Sequence, residues 1–310
     1  MKISFITVCM GRLHHLKQTL PRNIEDTADI DREFIILNYN SKDRMNEYLW
    51  NHFQKEIKEG LIKLYHTSTP RYFRTSHSRN MASKQATGDI LLILDCDNFL
   101  VEGFSEWVIE AFTENIDSVC SHRSDRINSV GGKIAISSDN FIKMRGYNEK
   151  FKGWGFEDVD LIIRAIEFDG LTPKRIPVEF MEAILHTNEE RFTNYEDDSV
   201  TDEIKYEEGC EVIRYHGITQ REFQAKYDGS KYFEKPGFDY WAMEWKNDPE
   251  AVEYFGYAEW REHIPFWDLH YVPASALEKF DKYKPHEIEP KKLVNPNGWG
   301  RGRVKDCLYE

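Results

Sequence analysis

Cysteine is scarce in this chain: five in 310 residues, at 9, 96, 120, 210 and 307, an odd number with no CxxC pair. That excludes a disulfide framework and a thiolate metal site, and it fits a reducing compartment, so a cytoplasmic location is expected. Long apolar runs are missing too. Nothing approaches the roughly 20 residues of a membrane span, and no integral membrane segment is expected. The opening MKISFITVCMGR has one lysine ahead of a short apolar run and no small-residue cleavage site, so it reads as a first β-strand and not a signal peptide. Positive charge is in the minority, with 41 Lys plus Arg against 54 Asp plus Glu and a net charge of -13. That balance argues against nucleic acid or an anionic membrane as a partner, and any anionic ligand must be held locally. Repeats and low-complexity tracts are absent.

Aromatic residues are plentiful, at 14% with 8 Trp and 16 Tyr. Over the first 120 residues the strand-like segments ISFITVC, EFIILN, LIKLYH and ILLILD alternate with helix-like ones, starting near Leu13 and running over about 43–58 and 77–87. Apolar strands without two-residue alternation, separated by helices, predict an α/β fold with a mostly parallel central sheet covered on both faces. Ligands of such sheets lie at the carboxyl ends of the strands, which singles out Thr7 to Arg12, Asn38 to Asp43 and Asp95 to Asn98.

Charge is unevenly spread. Residues 1–90 carry 14 Lys plus Arg against 10 Asp plus Glu, a surplus of four, and the remainder carries 27 against 44, a deficit of 17. Between Gly60 and Gly88 stand Lys63, Arg71, Arg74, Arg79 and Lys84 with no acid. Such a stretch suits a phosphorylated ligand, and equally a solvated basic helix face. From Thr187 to Glu211 ten acids face only Arg191 and Lys205, which marks the exit from a first domain, 1–200. A C-terminal extension, 201–310, follows. It is aromatic-rich from Tyr227 to Tyr271, mainly helical, expected to pack on the first domain, and ends in an extended tail.

Two segments carry chemistry. LLILDCDN at 91–98 is a buried strand that delivers Asp95 and Asp97 to its carboxyl end. Residues two apart on an extended chain point the same way, so the pair can hold a hard divalent cation bridging a diphosphate; a turn or helix cap is the alternative. GYNEKFKGWGFEDVDLIIRA at 146–165 sets Trp154 between Gly153 and Gly155, then Glu157, Asp158 and Asp160 before an apolar run. Acids in a first helical turn stabilise free N–H groups and the dipole, but that does not explain the tryptophan.

In this order, ITVCMGRLHHLK, FIILN, TSHSRNMASKQATGD, ILLILDCDN, RGYNEKFKGWGFEDVDLIIR and ILHTNEERF resemble nucleotide-sugar glycosyltransferases of the GT-A fold. The chain is most similar to the β-1,4-galactosyltransferase catalytic domain and to bacterial family 2 enzymes such as the chondroitin polymerases, over about residues 1–195. The resemblance implies that Thr7, Cys9, Gly11 and Arg12 form a nucleotide-contacting loop, and that Asn38, Arg74, Arg79 and Asp95 serve the donor. It implies a metal, Mn2+ or Mg2+, held by Asp97 and His186 with help from Asp95; Ala183 stands where galactosyltransferases commonly have a Met. Asp158 becomes the catalytic base with Glu157 beside it on the acceptor hydroxyl, and Trp154 with Gly155 walls donor and acceptor.

The activity so implied is metal-dependent, inverting transfer from a nucleotide-sugar donor (UDP-Gal, UDP-GalNAc, UDP-Glc or UDP-GlcNAc) to a saccharide or glycoconjugate acceptor hydroxyl. A retaining GT-A transferase or a sugar nucleotidyltransferase shares the parallel sheet and metal-held phosphates, although MGR supplies one glycine where a nucleotidyltransferase has a Gly-rich loop. A non-catalytic glycan-binding module using the aromatic third is the reading from a different class.

Overall fold

In the computed structural model, the described residues are 1–122, 132–149, 157–167, 169–186, 190, 193–195, 295 and 298–307. Every element below belongs to one compact unit, Met1–His122, Ser129–Glu196 and Ile288–Glu310. The second unit, Arg123–Asn128 and Asp197–Glu287, lies outside the described residues, as do Trp154, Gly155 and the aromatic stretch from Tyr227 to Tyr271.

The first strand, β1 (Ile3–Cys9), is buried throughout and rich in β-branched residues, which favour a pleated, packed backbone. It pairs in parallel with β2 (Arg32–Tyr39) on one side and β4 (Ile90–Leu94) on the other, and β3 (Ile62–Thr67) adds in parallel to β2. Beyond β4, the strand β7 (Lys133–Ser137) runs antiparallel between β4 and β6 (Ser118–Ser121), and β8 (Thr172–Arg175) closes that side parallel to β6. The far edge beside β3 is taken by β10 (Lys305–Asp306), antiparallel, so the chain's last described stretch covers a sheet edge. The sheet order is β10-β3-β2-β1-β4-β7-β6-β8. Chain order runs outward from β1 through β2 to β3 and then jumps to β4 on the other side of β1, so the carboxyl ends of β1 and β4 flank a switch point.

Alternate residues make one core face. Ile3, Phe5 and Cys9, Phe34 and Ile36, and Ile90, Leu92 and Leu94 pack with Leu13, Leu16 and Leu20 of α1 (Leu13–Glu25). Phe104, Val108 and Phe112 of α5 (Phe104–Glu114) complete that layer. The three- and four-residue spacing of the α1 leucines is the helical apolar stripe. Next to β2, the single helix expected over 43–58 is two, α2 (Met45–His52) and α3 (Gln54–Lys58). Phe53, at φ -128° and ψ 31°, leaves the helical region and is buried in the core between them. The helix α4 (Thr75–Ser83) begins two residues earlier than the expected 77 and ends at Ser83, not 87. Further along stand β5 (Asn98–Phe99), α6 (Ser138–Lys143), α7 (Glu157–Glu167) and β9 (Glu182–Ala183), and β5 pairs antiparallel with β9. Among the described residues no helix is long and apolar enough to cross a membrane.

At the amino end of the parallel strands a buried carboxylate ties three strands together. Glu33 of β2 accepts from Ser4 Oγ at 2.7 Å, from Lys2 Nζ at 2.7 Å and from the Thr87 backbone N–H at 2.7 Å, and Lys63 Nζ lies 2.7 Å away. Burial alone would raise its pKa, but the bonds from Lys2 and Lys63 bring it down to about 2. A carboxyl held below its ordinary 4.5 adds stability that is present above 4.5 and lost as the pH falls through about 2. Glu33→Gln should therefore cost about 3 kcal/mol in urea unfolding at neutral pH, and the gap from wild type should shrink below pH 4. A gap that is independent of pH would contradict this account.

Candidate active site

The carboxyl ends of β1 and β4 are organised by hydrogen bonds between loops. Thr7 Oγ1 donates to the Leu94 carbonyl at 3.0 Å, locking β1 to β4. Gly11, at φ 70°, donates its N–H to Ser41 Oγ at 2.7 Å; a Cβ there would stand 2.8 Å from Asn194 Nδ2, so a larger residue would be strained. Arg12 supplies no side-chain cap to α1; Asp43, from the loop after β2, accepts the Leu13 N–H at 2.9 Å instead. Asn38 is buried and holds that same loop, accepting from the Ser41 N–H at 2.7 Å and donating to Asn46 Oδ1 at 2.8 Å. Cys9 is buried at the end of β1, and Arg74 is half-buried immediately before α4.

Arg79 of α4 is the centre of the next layer. Its side chain is 4% exposed; Nη2 lies 2.7 Å from Asp95 Oδ1, and Nη1 lies 2.6 Å from Asp158 Oδ1 and 3.5 Å from Glu157 Oε1. One guanidinium thus joins the end of β4 to the first turn of α7, with the Tyr147 ring beneath it. Asp95 is packed against Gly132, where an added Cβ would come within 2.4 Å of its carboxylate, and its N–H donates to the Gly132 carbonyl at 3.1 Å. The two α7 acids differ in access: the Glu157 side chain is 6% exposed and that of Asp158 is 30%. Burial, then the charge of Asp158, pushes Glu157 up to about 8 against the pull of Arg79. Burial thus favours the protonated form of Glu157, beside the more accessible Asp158. Arg164, paired with Asp160 at 2.8 Å, donates to the Gly146 carbonyl at 2.7 Å and so fixes the chain leading into the Trp154 segment.

The second pair joins residues 89 positions apart. The β5–β9 ribbon sets Asn98 opposite Ala183, and the Ile184 N–H donates to the Asp97 carbonyl at 2.8 Å. This brings His186 Nε2 to 2.9 Å from Asp97 Oδ2, with both side chains largely shielded. Burial would raise the Asp97 pKa, but the bonds from His186 and Asn98 hold it below the ordinary carboxylate range. A carboxylate and an imidazole converging in a shielded corner are a donor set that fits Mn2+ or Mg2+. Asp95, bonded to Arg79, is committed elsewhere. Beside this corner, His15 has its ring centroid 5.7 Å from that of His186, and burial followed by the charge of His14 lowers its pKa to about 4.

The structure therefore gathers Arg79, Asp95, Glu157 and Asp158 into one cluster and Asp97 with His186 into another. Sequence reasoning placed Arg79 among cations waiting for a ligand and missed that its own chain supplies three carboxylates. It also missed Tyr147 and Asn80, the latter donating to the Tyr147 carbonyl at 2.8 Å. The acid-free composition of 61–87 pointed to anions without indicating that they lie within the chain.

Residues 117–189, which carry Glu157, Asp158 and His186, match the sequence family described as the N-terminal domain of galactosyltransferase. No curated protein matches the sequence at a significant level. Among solved structures, the chain is similar to the mannosyltransferase PcManGT from Pyrobaculum calidifontis, in complex with GDP-Man and Mn2+, at 13% identity and a TM-score of 0.52, over 90% of this chain and 74% of that one. TarS 1-349 from S. aureus aligns at 15% identity and a TM-score of 0.43 over 53% of this chain, and the match spans 55%, about half, of the TarS chain. The catalytic domain of Drosophila β1,4-galactosyltransferase 7, in complex with xylobiose, aligns at 14% identity and a TM-score of 0.44, over 63% of this chain and 74% of that one. The chain therefore has the fold of the GT-A glycosyltransferases, and its residues 117–189 match the galactosyltransferase segment.

A carboxyl whose folded pKa is raised contributes stability that is complete below its unfolded value and lost as the pH rises through the folded one. Wild type should therefore lose stability relative to Glu157→Gln between about pH 4.5 and about 8, read by urea unfolding across that range. Parallel curves for the two proteins would show that Glu157 is ionised throughout.

Proposed function

We propose that this chain is an inverting, metal-dependent glycosyltransferase that moves a hexose from a UDP-sugar (UDP-Gal, UDP-GalNAc, UDP-Glc or UDP-GlcNAc) to a hydroxyl of a saccharide or glycoconjugate. The observation that carries the reading is the shielded Asp97–His186 corner just beyond β4 together with an accessible Asp158 that Arg79 ties to Asp95 at the end of β4. Asp97 and His186, 2.9 Å apart, would hold the divalent cation in the manner of a DxD site, as in family 2 enzymes. When bound, that cation neutralises charge on the departing diphosphate.

The remaining work belongs to the chain's own groups. Thr7, Cys9, Gly11, Arg12, Asn38 and Arg74 would form the nucleotide side around the β1 and β2 carboxyl ends, with Arg74 contributing positive charge and Arg12 paired with Glu190. Arg79 and Asp95 act as positioning residues that hold β4 against α7. Asp158 accepts the proton of the acceptor hydroxyl, because it is the α7 acid that solvent reaches. Glu157 stands beside it as the acceptor-hydroxyl contact, and burial, which favours its protonated form, keeps it from competing for that proton. Trp154 and Gly155, outside the described residues, wall the sugar. A base on one side of the anomeric carbon and a leaving group held on the other gives inversion. Cys9, Cys96, Cys120 and Cys307 are free thiols, which supports a reducing, cytoplasmic setting.

Asp158→Asn should lower transfer by about 10²–10⁴-fold while UDP and Mn2+ still bind with wild-type affinity by calorimetry. Full activity in that variant removes Asp158 as the base. Asp97→Ala should weaken Mn2+-dependent UDP binding at least roughly tenfold to a hundredfold, and an unchanged affinity would count against Asp97 as a ligand.

A further inference from the structure

Among the described residues, one set of metal-competent donors lies outside the two clusters above. His14, His15 and Glu190 place one ligand atom each within 4.8 Å of one another. Both imidazoles present Nε2 to the same carboxylate oxygen, Glu190 Oε1, at 2.6 Å from His14 and 3.3 Å from His15. The two histidines are consecutive in the first turn of α1, where successive side chains diverge by about 100°. Even so, their rings lie 4.2 Å apart, tilted by 53°, and converge on Glu190. The environment is graded: the His15 side chain is 4% exposed, that of Glu190 33% and that of His14 57%, which gives a buried anchor and an open mouth.

We propose that His14, His15 and Glu190 form a second metal site that takes a transition-metal dication such as Zn2+ or Co2+, distinct from the Asp97–His186 pair. Two imidazoles and one carboxylate suit borderline dications, with water completing the coordination. Arg12 now neutralises the carboxylate, with Nη1 3.2 Å from Glu190 Oε1 and a second bond from Nη2 to the Glu190 carbonyl. Metal entry displaces Nη1 from Oε1 and leaves the bond to the carbonyl intact. Glu190 follows His186 by four residues, and the His15 ring lies 5.7 Å from that of His186. An occupied site therefore ties the chain bearing His186 to α1.

The test is a Co2+ titration of the full chain without an affinity tag, followed by visible absorption and equilibrium dialysis, with no nucleotide sugar present. Its outcome is thus separate from whether the chain transfers sugar. In an Asp97→Ala background one equivalent of Co2+ should still bind, with visible bands. Adding His14→Ala or Glu190→Gln should weaken it by roughly tenfold to a hundredfold or more. Absence of Co2+ binding in Asp97→Ala, or the same affinity after His14→Ala, overturns the site and leaves Glu190 as an ion-pair partner of Arg12 only. Should Asp97→Ala fail to fold, the comparison of wild type with His14→Ala decides: loss of one equivalent supports the site, and unchanged stoichiometry overturns it.

Discussion

A single buried cation, Arg79, holds the end of β4 and the start of α7 together. Its guanidinium reaches Asp95 at the end of β4 and Asp158 and Glu157 at the start of α7, elements more than sixty residues apart in the chain. A buried charge is costly unless geometry and hydrogen bonds compensate for it, and three carboxylates around one fork-shaped donor do so. The dependence runs both ways. Without the cation Asp95 and Asp158 repel each other, and without the acids the cation has no place in a side-chain environment only 4% exposed. Burial then separates the two α7 acids, leaving Asp158 the more accessible and favouring the protonated form of Glu157.

The Asp97–His186 corner rests on a different device. Asp97 leaves β4 in the direction fixed by the parallel sheet, while His186 arrives through the two-residue ribbon of β5 and β9. That ribbon is short, and its register is set by backbone bonds, including the one from Ile184 to Asp97. Asp97 lies in the turn just before β5 and His186 just after β9, so the ribbon brings the two side chains to 2.9 Å. A network at the other end of the sheet, around Glu33, keeps β1, β2 and β3 in step, so the loops at the catalytic end inherit a fixed spacing.

Much of this was legible in the sequence because the signals were local. The apolar runs marked β1, β2, β3 and β4 within a residue or two, since buried parallel strands need continuous hydrophobicity. Asp-x-Asp after such a strand and the acids opening α7 were visible from spacing alone. What stayed hidden depends on tertiary partners. Arg79 read as a cation awaiting an external anion, because nothing in residues 61–87 announces acids delivered from residues 95, 157 and 158. The antiparallel direction of β7 was not legible, since KIAIS carries no sign of its partner. Nor was the break at Phe53, where burying one ring outweighs continuing a helix. His186 came from family resemblance, and its contact with Asp97 is a product of the β5–β9 ribbon.

The central claim is that these two clusters together cleave a nucleotide sugar with the help of a divalent cation. Its most direct test is nucleoside diphosphate release from a panel of nucleotide sugars by the full chain, with and without Mn2+. The account predicts release from at least one UDP-sugar that requires Mn2+, stops on chelation and rises with a saccharide acceptor. Release that persists after the metal is stripped, or its absence from every donor across saccharide acceptors, would contradict it.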